Sequence, residues 1–244
     1  MSMSTTATAL VVLAAAGAAV SGCGAGGQSA DPTPAAPLAA TVSGLQQRFV
    51  RVVQTVSPQV VEVQTAVGLG SGVVFDSSGD IVTNAHVVGN SHRFAVRLAG
   101  GQRHAATLVG SDTSNDLAVI RLVAARPKPA TFADSDKLDV GDLALAIGNP
   151  LGLRSSVTQG IVSSLGRTVG EGNGVTLSRV IQTSAAINPG NSGGALVDLA
   201  GRVIGVPTLA AIDPEFGADQ APGIGFAIPS NTVEQIATRL IAAA

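Results

Sequence analysis

The chain has 244 residues, room for one large domain or two small ones, and 45% of them are apolar, so a core can be buried. Only 12% are charged, the net charge is −2, and Tyr and Trp are absent. With no basic run and no stacking aromatics, these features argue against a nucleic-acid partner, and the single cysteine, Cys23, excludes an internal disulfide framework.

The N-terminus reads as a targeting segment. "ATALVVLAAAGAAV" has the length of a signal-peptide apolar region and is short for a membrane span. It runs into "VSGC", which resembles a lipobox. That resemblance implies cleavage before Cys23, lipidation of Cys23 and a membrane anchor. The leading "MSMSTTAT" lacks the usual positive charge, so an ordinary secretory signal is the alternative. Residues 1–22 are thus expected to be a lipoprotein-type signal peptide. The Gly/Pro/Ala-rich residues 23–40 are expected to be a disordered tether, and residues 41–244 the folded domain.

"TVSGLQQRFVRVVQTV" has helical spacing, with Leu45, Phe49 and Val52 or Val53 on one face. Pro58 ends that pattern, and "QVVEVQT" reads as a strand. Short β-type runs follow: "SGVVFD", "DIVTNAHVV", "RFAVRLAG", "HAATLVG", "LAVIRLV", "DLALAIGN", "SVTQGIVSSLG", "VIQTSA", "GALVDLAGRVIGVPTLA" and "GIGFAIPS". Gly, Asp, Asn and Pro separate them. Many short strands without long helical patterns between them predict an all-β sandwich or barrel fold. Both halves carry about six runs, which fits two small barrels. "SNTVEQIATRLIAAA" predicts a closing helix, with Ser230 as N-cap and Val233, Ile236, Ala237 and Leu240 on one face.

The segment "INPGNSGGAL" crowds three glycines and a proline around Ser192. Such density is kept where a backbone must turn sharply or approach something closely. A serine hydroxyl becomes a nucleophile only with a base, a carboxylate that orients the base, and N–H donors for the oxyanion. All three histidines, His86, His92 and His104, precede Ser192, which excludes the α/β-hydrolase order despite a formal G-x-S-x-G match. His92 and His104 lie among polar residues and read as surface histidines. His86 follows the apolar run "DIVTNA" and is the candidate base. Among the intervening acids, Asp116 leads into the apolar "LAVIRL", where a buried carboxylate needs a partner such as an imidazole N–H. Asp112 reads as a turn residue, and the acids from Asp134 to Asp142 as a solvated loop. The order His86, Asp116, Ser192 is that of chymotrypsin.

"TNAHVV", "NDLAVI", "GNPLGL", "VTQGIVSSLGR", "IQTSAAINPGNSGGAL" and "GIGFAIPSN" resemble, in order, the trypsin-like domain of the HtrA/Deg serine proteases. The resemblance implies an all-β fold of two six-stranded, chymotrypsin-like barrels with the triad between them. It implies endoproteolysis of unfolded or damaged envelope proteins, with Gly190 and Ser192 as oxyanion donors. Ala186, Ile187 and Ala210 would line a small apolar substrate pocket. Homotrimers built through the N-terminal part of the domain are implied too, with Phe49 and Val50 either at that interface or packed on the barrel. The family usually has an aspartate at Ser184, an N–H donor at Pro207, and PDZ domains after the protease; this chain stops at "RLIAAA". No metal-ligand spacing such as H-E-x-x-H occurs, so no metal or cofactor is expected. Two other readings are a protease-like domain that binds peptide without cutting it and a lipid-anchored solute-binding protein. The complete His/Asp/Ser set argues against the first, and the absence of α/β alternation against the second.

Overall fold

The alternation of valines with small and polar residues that marks the early strands is resolved in a computed structural model describing residues 38–65, 68–149, 156–170, 176–188, 190–213 and 219–244, with residues 38–41, 209–213 and 219–222 described by backbone alone. β1 (Val60–Gln64), β2 (Leu69–Val74), β3 (Asp80–Thr83), β4 (Arg93–Arg97), β5 (Arg103–Asp112) and β6 (Leu117–Leu122) pair antiparallel in the order β1-β2-β3-β6-β5-β4. β4 returns to β1 and closes a barrel. β7 (Leu143–Gly148), β8 (Ser156–Gly170), β9 (Thr176–Thr183), β10 (Ala195–Val197), β11 (Val203–Asp213) and β12 (Asp219–Pro229) repeat the scheme in the order β10-β11-β12-β9-β8-β7, closed by β7 on β10. Closure leaves no open sheet edge to be covered.

The three largest sets of buried side chains fill the barrels and the seam between them. Val61, Val63, Val74, Ile81, Ile120 and Leu122 fill the first barrel. Ala144, Ala146, Val162, Ile181, Leu196 and Ile204 fill the second. The third set joins them: Val60, Val73, Val82, Leu117 and Val119 pack with Leu145, Ile147, Ala195 and Val206 in a single cluster. Sheets twisted into barrels bury alternate residues inward, and the outward-facing apolar residues of the two barrels bury each other here.

α1 (Leu38–Val56) starts three residues before the expected boundary, so its first turn overlaps the expected tether. The expected signal peptide, most of the tether and Cys23 lie outside the described residues. From Phe49 onward the helix packs Val52, Val53 and Val56 on the shared cluster, whereas Leu45 at the expected face is exposed. Pro58 sits in a 3₁₀ turn, Ser57–Gln59, and ends the helix as expected.

Two local expectations are corrected. "AHVV" continues the predicted strand only in hydropathy: the chain breaks at Asn84 and winds into one helical turn, α2 (Ala85–Val88). Four apolar residues are too few to reveal a helical period. Ser230 does not cap α3 (Ser230–Ala242); it is the first helical residue, buried, and its hydroxyl donates to the Ala133 carbonyl at 2.6 Å. The predicted helix face holds, with Val233, Ile236 and Ala237 buried and Leu240 packed beside them. No helix among the described residues is long and apolar enough to cross a membrane.

Candidate active site

The turn α2 sets the direction of His86. Asn84, fully buried, precedes it and donates through Nδ2 to the Asp116 carbonyl at 3.0 Å. The backbone N–H of His86 then donates to Asp116 Oδ1 at 2.9 Å, and its ring Nδ1 lies 2.8 Å from Oδ2 and 3.0 Å from Oδ1. A carboxylate can only accept, so the proton of this bond belongs to Nδ1, and the lone pair of the neutral ring resides on Nε2.

Asp116 ends the 3₁₀ turn Thr113–Asn115 in a left-handed conformation, φ 50°, which aspartate tolerates better than most residues. From there β6 runs into the core. The carboxylate is buried, with the residue 2% exposed, and such a charge is sustained only by dense hydrogen bonding. Besides the two His86 donors it accepts a short hydrogen bond from Thr208 Oγ1, on β11 of the other barrel.

Ser192 lies in the loop between β9 and β10. The buried Asn191 braces this loop: its Oδ1 accepts from the Asn188 N–H at 3.0 Å and its Nδ2 donates to the Ala186 carbonyl at 3.1 Å. Gly190 has φ 106° and Gly193 φ 79°, values that side chains with a Cβ rarely adopt. A Cβ on Gly193 would also stand 2.3 Å from the Ser71 carbonyl oxygen. The glycines thus let the nucleophile loop press against β2 of the first barrel. The Ser192 hydroxyl donates to the Thr208 carbonyl at 3.1 Å.

The residues singled out from the sequence fall as follows. His86 and Asp116 are in direct contact, and Asp116 and Ser192 meet on opposite ends of Thr208. Gly190 is in the same loop as Ser192. The Ala186 carbonyl also accepts from Thr158 Oγ1 at 2.8 Å. Ile187 is buried, and Gly225, the strand partner of Ala210, passes so close that a Cβ there would lie 2.3 Å from Ile187 Cγ1. Ile187 and the Ala210–Gly225 pair are therefore neighbours, Ala210 being placed by its backbone. Ser184 Oγ accepts from the Ile161 N–H at 3.0 Å, well inside the neutral hydroxyl's capacity.

Outside this constellation, His92 is exposed. His104 is half-buried on β5 rather than on an open surface, because it stands opposite the buried Val96 and two residues from the buried Ala106, on the inward face of the strand. Asp134, Asp136, Asp139 and Asp142 are exposed, as expected. Asp112 makes its turn: Asn115 donates to Oδ1 through its backbone N–H at 3.1 Å and through Nδ2 at 3.0 Å. It also receives a short bond from Arg239 of α3. Partial burial pushes the Asp112 carboxyl up, but the donors Asn115 and Arg239 together outweigh that and hold it below the ordinary carboxylate range.

Two barrels of six strands, with the His86–Asp116 pair on the first and a glycine-flanked serine on the second, define a chymotrypsin-like fold. The chain belongs to the trypsin-like peptidase domain family, whose match covers residues 70–206. It is 48% identical over 178 residues to a probable periplasmic serine protease, do/HhoA-like, of Haemophilus influenzae, an alignment covering 71% of this chain and 37% of that protein. It is 47% identical over 182 residues to the periplasmic serine endoprotease DegP of Escherichia coli, covering 73% and 37%. Among solved structures it is similar to the HtrA-type protease AlgW with tripeptide, with TM-score 0.71, 39% identity, and coverage of 79% of this chain and 63% of that one. The chain thus spans less than half the length of the curated relatives it matches.

Proposed function

We propose that the chain is a serine endopeptidase of the HtrA type that degrades unfolded or damaged proteins of the cell envelope. The observation that carries the reading is the double engagement of the Asp116 carboxylate by the His86 ring and by Thr208, which fixes the imidazole in the tautomer needed for a base. In this reading Ser192 Oγ attacks the scissile carbonyl and its proton passes to His86 Nε2. The oxyanion is met by the N–H groups of Gly190 and Ser192. His86 returns the proton to the leaving amine as the C–N bond breaks, and water, deprotonated by His86, then hydrolyses the acyl-enzyme.

The substrate class follows from the small apolar surroundings of Ile187, Ala210 and Ala186, where a cation would lose its hydration without a partner. Apolar side chains are mostly buried in native proteins, so such a pocket favours unfolded ones. The periplasmic relatives support an envelope location, and the "VSGC" sequence supports anchoring through Cys23. A homotrimer through α1 would use Val50, which is exposed, rather than Phe49, which packs inward.

The test is digestion of an unfolded protein such as casein, together with labelling by a fluorophosphonate. Ser192→Ala should abolish both, with a loss of about a million-fold in kcat, while folding is retained. Wild-type-like hydrolysis by purified Ser192→Ala protein would refute the nucleophile. Binding of casein by the wild-type protein with neither hydrolysis nor labelling would favour the non-cutting reading. Mass spectrometry of the mature N-terminus checks the anchor: a start other than a lipidated Cys23 rejects it.

A further inference from the structure

Ser71 lies on β2 of the first barrel, fully buried, 119 residues away in sequence from the loop it touches. Its hydroxyl donates to the Gly190 carbonyl at 2.5 Å and accepts from the Asn149 N–H at 2.8 Å. Its backbone N–H donates to the Ser192 carbonyl at 3.0 Å. Its carbonyl accepts from Thr83 Oγ1 at 2.7 Å and lies against Gly193. One residue of the first barrel therefore holds carbonyls on both sides of Asn191, in a loop of the second.

These contacts determine where the N–H groups of the loop point. In a trans peptide the C=O and N–H are coplanar and opposed, so a held carbonyl fixes the next residue's N–H. The Gly190–Asn191 peptide is held at both ends, by Ser71 Oγ on its carbonyl and by the Asn191 N–H donating to the Asn188 carbonyl at 3.1 Å. The Ser192–Gly193 peptide is held by the Ser71 N–H on its carbonyl and by the Gly193 N–H donating to the Pro207 carbonyl at 2.9 Å. Between them, the Asn191 carbonyl accepts from the Gly194 N–H at 3.0 Å, which turns the Ser192 N–H the opposite way. Ser71 thus holds the peptides before and after the one that carries the Ser192 N–H.

We propose that Ser71 is a positioning residue for the oxyanion loop: its hydroxyl and N–H hold the two peptides that flank the Ser192 N–H, an inference that rests on the reading of Ser192 as the nucleophile. Ser71 touches neither substrate nor the reacting atoms. It acts through the loop, so its loss affects the charged transition state and leaves ground-state binding unchanged.

The experiment compares Ser71→Ala and Ser71→Cys, the latter keeping the volume with a weaker donor, against Val61→Ala, a core truncation in the same barrel. Three quantities are read: kcat and KM on a peptide anilide, affinity for a peptide aldehyde, and affinity for the matching peptide alcohol. The aldehyde forms a tetrahedral hemiacetal with Ser192, whose former carbonyl oxygen occupies the oxyanion position; the alcohol has no carbonyl and binds without forming that adduct. Removal of a whole oxyanion donor costs about 10²–10³-fold, so a loosened loop should lower kcat by about 10- to 100-fold in Ser71→Ala. KM should stay within about twofold by the same logic, and aldehyde affinity should fall in parallel with kcat while alcohol affinity holds. Ser71→Cys should fall between wild type and Ser71→Ala. Val61→Ala should lose thermal stability and keep kcat. Wild-type kcat in Ser71→Ala, equal losses of aldehyde and alcohol affinity, or an equal kcat loss in Val61→Ala would each overturn the proposal. Hydrolysis by Ser192→Ala would instead refute the reading beneath it.

Discussion

Thr208 donates its hydroxyl to the Asp116 carboxylate across 92 residues and the seam between the barrels. Its own carbonyl receives the Ser192 hydroxyl, so one residue of β11 bonds both the Asp116 carboxylate and the Ser192 hydroxyl. Thr208→Val keeps the shape and removes the hydroxyl that donates to Asp116. Hydrogen bonds to charged groups contribute about 1.5–3 kcal/mol, so kcat should fall by roughly 10- to 100-fold. Asp116→Asn should cost more, about 10⁴-fold, because it selects the wrong imidazole tautomer. Steady-state kinetics on a peptide anilide checks both, and a Thr208→Val loss as large as that of Asp116→Asn would contradict this ranking.

As the proposed base, His86 must be neutral to accept the Ser192 proton. The expected kcat/KM therefore rises with pH as the imidazole loses its proton. A pH–rate profile with its optimum well below pH 5 would rule out a histidine base.

The lowered carboxyl of Asp112 has a stability consequence of definite sign. Its folded form holds the proton less tightly than the unfolded chain does, so its contribution is present above the ordinary carboxylate range and is lost as pH falls through the lower folded value. Asp112→Asn removes the charge that faces Arg239 and Asn115. The loss should be about 1 kcal/mol at neutral pH, a modest value because the Arg239 side chain is 63% exposed. That corresponds to a fall in Tm of about 2–4 °C for a domain of this size. Thermal melts of the two proteins should converge as the pH falls from 7 through the lowered value of the Asp112 carboxyl, where the wild-type carboxylate takes up its proton. A gap that widens in acid would reverse the assignment.

The proposed pocket predicts the cleavage pattern. Cuts should follow Val, Ala, Ile or Leu, with each methylene shifting discrimination by only about 1–3 kcal/mol. Mapping of cleavage sites on a denatured proteome reads this directly. A dominance of Arg or Lys before the cut would show that Ile187 and Ala210 do not form the pocket, whatever becomes of Ser192.

The barrels were legible because strand punctuation survives in the local sequence, and the contact of His86 with Asp116 was legible because each stands where polarity breaks an apolar run. The α2 turn was hidden because "AHVV" is four apolar residues, shorter than the period that would distinguish a helix from a strand. Thr208 and Ser71 were hidden for a different reason. A hydroxyl residue within an apolar strand is common, and what makes these two consequential are partners 92 and 119 residues away. Asp112 carried a turn signal, but its Arg239 partner on the far helix did not.

The cluster in which Val60, Val73 and Leu117 pack with Leu145, Ile147 and Val206 belongs to neither barrel alone. Either half expressed by itself would present that face to water as a large apolar patch, the kind that drives aggregation. The two halves are therefore expected to melt together, as one cooperative unit. A gene split between β6 and β7 would yield two insoluble products that recover solubility only when co-expressed, and the assembled heterodimer would be held by the same valines that now join the barrels within one chain.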